Sequence, residues 1–569
     1  MAGPDRGAYW RMFEPKLLSV LREGYGLQAL KADALAGLTV AVVALPLAMA
    51  LAIASGTTPE KGLHTAIIAG FLISFFGGSR VQIGGPTAAF IPVVFVVIQQ
   101  FGYGGLILCT LMAGLMLIAA GLLRLGTLMK YMPQPVITGF TAGIAVSIFS
   151  SQVKDALGLQ MGELPAGFLE RWTAYATHLA STQPAAVALT VLGLVLIFGL
   201  RRRRPKWPGF LIALCACTLV ATGLGLPAET IGSRFGDLPT SLPQFELPHI
   251  PFDRILDLLP SAFTIAFLAG VESLLSAVVA DGMTGGRHRS NGELVAQGIA
   301  NVGSALFGGL PATGAIARTA TNIRAGGRTP MAGMLHAGFL LLFMLLLAPL
   351  MRYVPLAALA AVLLVVAWNM SEAENFRNTM SAPWGDRLVL LLTFLLTVMF
   401  DLTVAIQAGV VLAAFVFMFR MAEAVEVSSG ISMIDDDLHA DPERGIDLDQ
   451  RAKLPTGVEA YQIGGPLFFG AANRLDNLLD QFFEPPKVLI LRMRLVPVID
   501  ASGVHALKKL AERCHRQGIA LIVSGLQEQP NRVIAKMGLH NGPVALHLAS
   551  NFERAVKMAR SIVGSRTEA

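Results

Sequence analysis

The sequence predicts a polytopic α-helical membrane domain followed by a small α/β domain in water. Three observations carry this. Of 569 residues, 54% are hydrophobic and 14% charged, with a mean hydropathy of +0.61; soluble proteins carry about 25% charged residues. The charge is uneven, 24% of residues 422–569 against 11% of residues 1–421. A repeat also runs through the apolar part. Together these exclude a wholly soluble protein and a disordered one.

Residues 1–34 are mixed and polar, without a secretory signal pattern, and read as a cytoplasmic N-terminal segment. Fourteen apolar segments follow, near 35–54, 62–78, 87–99, 104–123, 133–152, 184–200, 208–225, 256–280, 294–309, 316–323, 331–350, 355–369, 388–400 and 402–419. A span needs about 20 apolar residues, so the third and tenth are too short to cross alone and read as broken helices lining a cavity.

Leu128-Met129-Lys130-Tyr131-Met132-Pro133 recurs as Leu350-Met351-Arg352-Tyr353-Val354-Pro355, 222 residues on. Within a few residues, the same offset carries Gly84-Gly85-Pro86-Thr87-Ala88-Ala89 to Gly308-Gly309-Leu310-Pro311-Ala312-Thr313, and the first apolar segment to the eighth. Seven segments separate equivalents. An odd number inverts the second copy, which predicts two inverted seven-helix repeats, about 35–225 and 256–421, in a transport domain spanning 35–421. Loops after even-numbered segments hold fourteen Lys/Arg and loops after odd-numbered ones six. That bias places both termini in the cytoplasm. The net charge of +6 therefore reads as orientation, with no nucleic-acid partner.

Residues 422–457, with Asp435-Asp436-Asp437, read as a hydrophilic linker or as an edge of the tail domain. From 458 to 565, short β-rich runs alternate with helical ones, predicting a small sheet covered by helices. Asp500-Ala501-Ser502-Gly503 starts one helix. Ser502 is a candidate phosphorylation site there, with an ordinary N-cap as the alternative.

Four cysteines and scattered histidines show no ligand spacing, so neither a metal nor a cofactor is expected. No nucleophile–base set is apparent, and no enzyme is expected. Two ionisable residues at membrane depth stand out. Glu272 lies in Ala266–Leu275 without a neighbouring charge and is the candidate proton carrier; the alternative is a brace between helices. Arg318 follows the Gly/Pro-rich break at Gly308, Gly309, Pro311 and Gly314, where a short helix starts near Ala317. Its partner half-helix starts near Thr87. Free N–H groups and the positive dipole ends of two such helices make an anion site, built from Thr87, Ala88 and Ala89 on one side and Ala317, Arg318 and Thr319 on the other.

The segments Gly84–Ala89, Gly314–Asn322, Gly327-Arg328-Thr329-Pro330 and Asp281-Gly282-Met283-Thr284-Gly285 resemble the SulP anion transporters, solute carrier family 26, and the tail resembles their STAS domain. Ala44-Leu45-Pro46-Leu47-Ala48, Gly270–Leu275, Ala367–Glu372 and Gly465–Phe469 are similar to the bacterial C4-dicarboxylate members of the DauA type. The resemblance implies fourteen helices in core and gate domains, an elevator-like step, homodimers in the bacterial inner membrane, and protons as coupling ion through Glu272. It also implies a substrate site between the third and tenth helices that includes Leu47. Many sulfate and chloride members carry Gln at the position of Leu47, so Leu47 points to a substrate with a carbon backbone. The expected function is proton-coupled uptake of fumarate or succinate. The alternatives are sulfate or bicarbonate transport on the same fold, an uncoupled anion channel, and a membrane-anchored signalling protein in which the STAS domain meets a cytoplasmic protein.

Overall fold

The computed structural model describes residues 12–127, 132–162, 164–204, 207–236, 245, 254–400, 402–423, 426–429, 454–468, 479, 485–539 and 546–565. Leu128–Tyr131 of the repeat, Asp401, most of the acidic stretch 422–457 and most of residues 469–484 lie outside these residues.

The membrane unit begins with α1 (Lys16–Glu23), α2 (Leu27–Ala54) and α3 (Pro59–Phe76). A two-residue strand β1 (Gly84–Gly85) leads through a short 3-10 turn, Ala88–Phe90, into α4 (Ile91–Leu122). Then come α5 (Gln134–Leu157), α6 (Phe168–His178), α7 (Pro184–Arg203), α8 (Gly209–Gly223) and α9 (Ile231–Phe235). The second half runs through α10 (Ile255–Thr284), α11 (Ser290–Leu306), β2 (Thr313–Gly314), α12 (Ile316–Arg324), α13 (Pro330–Met351), α14 (Leu356–Met370), α15 (Ala373–Met380), α16 (Trp384–Met399) and α17 (Leu402–Glu423). Every apolar segment falls on a helix. The third and fourth share α4, which breaks at Gly102, where φ is +70° and ψ −178°. That conformation suits glycine and ends the first half-helix. Among the described residues, eight helices are long and apolar enough to cross a membrane.

The packing exchanges the two halves. Helix α3 packs on α13, and its equivalent α11 packs on α4; α2 packs on α13, and α10 on α4; α5 packs on α16, and α14 on α7. At the centre the equivalents meet each other: β1 and β2 pair antiparallel, Gly84 opposite Gly314 and Gly85 opposite Thr313. The partner of Gly84-Gly85 is therefore Thr313-Gly314, a few residues beyond the Gly308-Gly309 pair that the repeat suggested.

Small residues make the seams. A Cβ on Gly114 of α4 would lie 2.8 Å from the Gly298 carbonyl of α11, and a Cβ on Gly298 2.6 Å from the Gly114 carbonyl. Such contact is how helices associate where lipid competes for apolar surface. At one end of the unit, Arg80 pairs with Glu23 and Arg289 with Glu14, both in the amino-terminal segment. There Asp33 of α2 is fully buried and accepts from the N–H groups of Arg328 (2.8 Å) and Thr329 (3.3 Å). At the other end of α2, about 30 Å from Asp33 at 1.5 Å per residue, Ile53 and Ala54 line a cavity together with Lys154, Arg171 and Arg234. Basic residues read as even-loop and as odd-loop thus collect at different ends.

The second unit is a five-stranded sheet in the order β3 (Glu426–Ser429), β4 (Val458–Gly464), β5 (Val488–Leu495), β6 (Ala520–Ser524), β7 (His547–Ala549). Only β3 is antiparallel. Part of the stretch read as linker is thus an edge strand. Helices α18 (Ala501–Arg516), α19 (Glu528–Lys536) and α20 (Phe552–Ser565) complete the unit. Strand β5 is buried on both faces: Leu489 and Leu491 pack with Val504, Leu507 and Leu510 of α18, while Val488 and Ile490 pack with Ala555 and Ala559 of α20. Asp500 caps α18 through Gly503 N–H at 2.8 Å, and Ser502 is exposed beside it.

Replacing Gly298 by Leu should separate α4 from α11, because the obstructing atoms are backbone. We expect a loss at or above the ~3 kcal/mol upper end of overpacking costs, seen as a collapsed folded peak in size-exclusion chromatography. Gly199→Leu on α7, where a Cβ meets nothing within 4 Å, should leave the peak intact.

Candidate anion-binding site

The two broken segments cross at β1 and β2, and each leads directly into a short helix. Their extended backbone cannot satisfy itself, so side chains do. Asn301 of α11 donates to the Ala312 carbonyl and accepts from the Ala312 N–H, at 2.8 and 2.9 Å. Ser304 donates to Leu310 O, and Thr65 of α3 accepts from Leu310 N–H. Thr313 donates to Ala269 O at 2.8 Å, and Asn322 to Val81 O at 2.8 Å. The hydroxyl of Thr319, 1% exposed, accepts from Ile83 N–H (3.1 Å) and from Ser276 (3.2 Å). Thr319 therefore fastens α12 to β1.

Arg318 is 3% exposed. Its Nη2 donates to the Pro86 carbonyl at 2.9 Å, directly before Thr87. Among the described residues, Nε and Nη1 have no partner. Glycine at 85 makes the room: φ is +149°, and a Cβ there would collide with Nη1. The guanidinium thus carries its charge into the gap between the two half-helices with two donor nitrogens uncommitted. Glu272 of α10 is partly exposed and accepts from the Thr87 hydroxyl at 3.0 Å. Glu272 and Arg318 bond different residues of the same turn, Thr87 and Pro86, and do not bond each other.

Ala88 and Ala89 are buried at the start of the first half-helix, which the structure begins at Ala88; α12 begins at Ile316, with Ala317 exposed. Thr87, Ala88, Ala89, Ala317, Arg318 and Glu272 are thus gathered around one turn and one helix end. Leu47 is half-buried and packs on the apolar cluster of Ile197, Ala213, Val362 and Val365.

Sequence reading passed over Glu293. It is fully buried on α11 and takes hydrogen bonds from Gly78 N–H (2.8 Å), Ser79 N–H (3.1 Å), Gln297 (2.8 Å) and Ser273 (3.3 Å). Ser273 follows Glu272, and Gln82 donates to both its carbonyl and its hydroxyl at 3.2 Å. This network fixes the stretch of α10 that presents Glu272. The available signal was an acidic residue one position before an apolar run read as starting at 294; the helix starts at Ser290.

This geometry agrees with what the chain is similar to. The profile of the sulfate permease family matches residues 30–393, and that of the STAS domain residues 451–555. The chain is 44% identical, over 91% of its length and 95% of the relative, to "Putative sulfate transporter YvdB" of Bacillus subtilis (strain 168). It is 31% identical to the bicarbonate transporter BicA of Synechocystis sp. (strain ATCC 27184 / PCC 6803 / Kazusa), covering 89% of this chain and 90% of that one. The inward-facing structure of the murine Slc26a9 anion transporter shares the fold, with a TM-score of 0.86 at 19% identity over 99% of this chain and 96% of that one. Two half-helices tied across an inverted repeat, an unneutralised arginine between them and a carboxyl-terminal α/β sheet are how this sequence builds that fold; the chain belongs to the SulP sulfate permease family of anion transporters, solute carrier family 26, with a C-terminal STAS domain.

Proposed function

We propose that the protein is a secondary active, proton-coupled carrier of small oxyanions, with C4-dicarboxylates such as fumarate and succinate as substrates. One observation carries the reading: a buried guanidinium with two uncommitted donors lies beside a carboxylate that is tied to the same turn. Arg318 and the first N–H groups of the half-helices, at Ala88, Ala89 and Ala317, take the anion. Glu272 takes the coupling proton. Protonation removes a negative charge beside the anion and frees Thr87 to turn its hydroxyl to the substrate, so proton and anion load together. With the site's charges neutralised, the loaded core crosses the membrane at lower cost by an elevator-like step.

The C4-dicarboxylate assignment rests on resemblance at the motifs around Pro46, Glu272 and Asn369. The relatives named as sulfate and bicarbonate transporters favour a second reading, sulfate or bicarbonate in the same site. Radiolabelled fumarate, sulfate and bicarbonate offered to proteoliposomes separate the two. The proposal places the protein as a homodimer in a bacterial inner membrane, with both termini and the STAS domain in the cytoplasm. There the STAS domain meets a regulatory protein, and Ser502, exposed at the first turn of α18, is its phosphorylation site.

Glu272→Gln should abolish uptake driven by an inward proton gradient while leaving the yield of folded protein unchanged. Gradient-driven uptake at the wild-type rate would make Glu272 a brace. Arg318→Lys keeps the charge but loses the planar fork, and Arg318→Ala loses both. Calorimetric affinity should fall by about tenfold for Lys and by well over a hundredfold for Ala, given about 1.5–3 kcal/mol per hydrogen bond to a charged group. Gly85→Ala, which displaces the guanidinium without changing its charge, should weaken binding as Arg318→Lys does.

A further inference from the structure

A second arginine in the membrane unit is as unneutralised as Arg318, and it lies in a different place. The cavity at the far end of α2 has a volume of about 870 Å³. It lies between α2, α4 and α10 on one side and α5, α6, α16 and α17 on the other, and hydroxyls and amides such as Ser147, Ser151, Gln152 and Thr403 line it. Two of its arginines differ in kind. Arg234 is held by Asp155 at 2.8 Å and by Glu229, and its guanidinium keeps the Glu229 carboxyl below the usual carboxylate range. Arg171 of α6, 8% exposed, meets no carboxylate among the described residues. Its Nε and Nη2 donate to Pro165 O at 3.2 and 3.1 Å, and Nη2 also to Ala166 O at 3.3 Å. Carbonyls orient a guanidinium but do not cancel its charge. The Phe95 ring of α4 lies under it, with its centroid 5.5 Å from Cζ. The remaining nitrogen, Nη1, has no hydrogen-bond partner among the described residues, and Arg171 lines the cavity.

Position adds a second argument. Ile91 and Pro92, the first residues of α4, line the same cavity and follow the turn Ala88–Phe90 without a gap. Phe95 lies four residues further on, about 6 Å of helix rise. The charge of Arg171 therefore stands roughly one turn of α4 outside the half-helix tip, over a surface of hydroxyls and amides.

We propose that this cavity is an outer anion site, in which Arg171 holds a small oxyanion by its free guanidinium edge before the anion passes along α4 to Thr87 and Arg318. The ligand class is a carboxylate or sulfate-type oxyanion, which a planar fork of donors matches. A cation at the mouth of a low-dielectric cleft raises the local concentration of anions and speeds their entry. Arg234, paired twice, holds the wall. The proposal rests on the reading of the protein as a carrier of small oxyanions.

The test separates the two ends of the protein and the two sites. With whichever of radiolabelled fumarate, sulfate or bicarbonate the wild type carries, KM is measured in intact cells, where the anion arrives from the cavity side, and in everted vesicles. Arg171→Gln should raise the first KM about tenfold, as losing one hydrogen bond to a charged group predicts, and leave the second unchanged; Arg171→Lys should recover part of the loss. A general loss of structure moves both KM values. Gln99→Glu, one helical turn from Phe95 on the same face, puts a competing carboxylate in the cavity and should give the same one-sided effect should Arg171→Gln fold poorly. Independently of transport, purified Arg318→Ala protein titrated with sulfate and with fumarate should retain one anion site, which Arg171→Gln added to it removes. Equal KM shifts at both ends, or no anion binding by Arg318→Ala, overturns the outer site. An Arg318→Ala protein that still binds, beside a wild type that carries none of the three anions, faults the transport reading alone.

Discussion

Two stretches of non-helical backbone, residues 79–87 and 308–315, run among helices where water is scarce, and their peptide groups must be satisfied by protein. Non-helical backbone at membrane depth is tolerated only under that condition, and each unpaired group would cost several kcal/mol. The described residues meet it with β1 against β2 and with Asn301, Ser304, Thr65, Thr313, Thr319 and Asn322 bonded to individual carbonyls and N–H groups. Much follows from it. The broken backbone leaves two helix starts with free donors, and glycine at 84 and 85 lets chains approach without side chains. The polar residues that hold the breaks cannot be exchanged for apolar ones of similar volume without orphaning their partners.

Buried charges in the membrane unit fall into two kinds. Glu293 and Asp33 accept hydrogen bonds on all sides, from backbone N–H groups and hydroxyls, and they hold loops to helices. Arg318 and Arg171 differ from these: each gives part of its fork to backbone carbonyls and meets no carboxylate within ion-pair distance among the described residues, and Arg318 leaves two buried nitrogens without a partner. A structural ion is fully bonded because an unsatisfied one is costly. A guanidinium left partly free in a lined cavity persists when an anion completes it. The difference in bonding, more than the difference in burial, separates the charges that hold the fold from those proposed above to meet the anion.

Much of this was legible in the sequence. Every apolar run became a helix, because hydrophobic segments of that length have no other way to satisfy their backbone. The half-helix tips were legible from Gly84-Gly85-Pro86 and from the break before Arg318, since glycine and proline so close together cannot stay helical. The tail strands at 458, 488 and 520 were legible as short β-branched runs between helical ones. What was not legible depends on pairing in space. Thr313-Gly314 and Gly84-Gly85 are too short to be matched by sequence, and only the ladder shows that they pair. The packing of Leu47 on Val362 and Val365 was not legible from its place after Pro46, because it depends on a helix from the other half of the chain. Glu426–Ser429 joins the sheet through β4, a partner some thirty residues away that no local pattern reveals.

The antiparallel ladder of β1 and β2 joins corresponding strands of the two halves, Gly84 opposite Gly314 and Gly85 opposite Thr313. It is an isologous contact written within a single chain. Each half on its own would present a bare strand edge in a medium that offers no competing donor or acceptor. Within one polypeptide each half therefore closes the other's edge, and the pairing holds while the rest of the two halves differ. Only one of the two short helices now carries an arginine, so the symmetry of the scaffold survives where the symmetry of the binding chemistry does not.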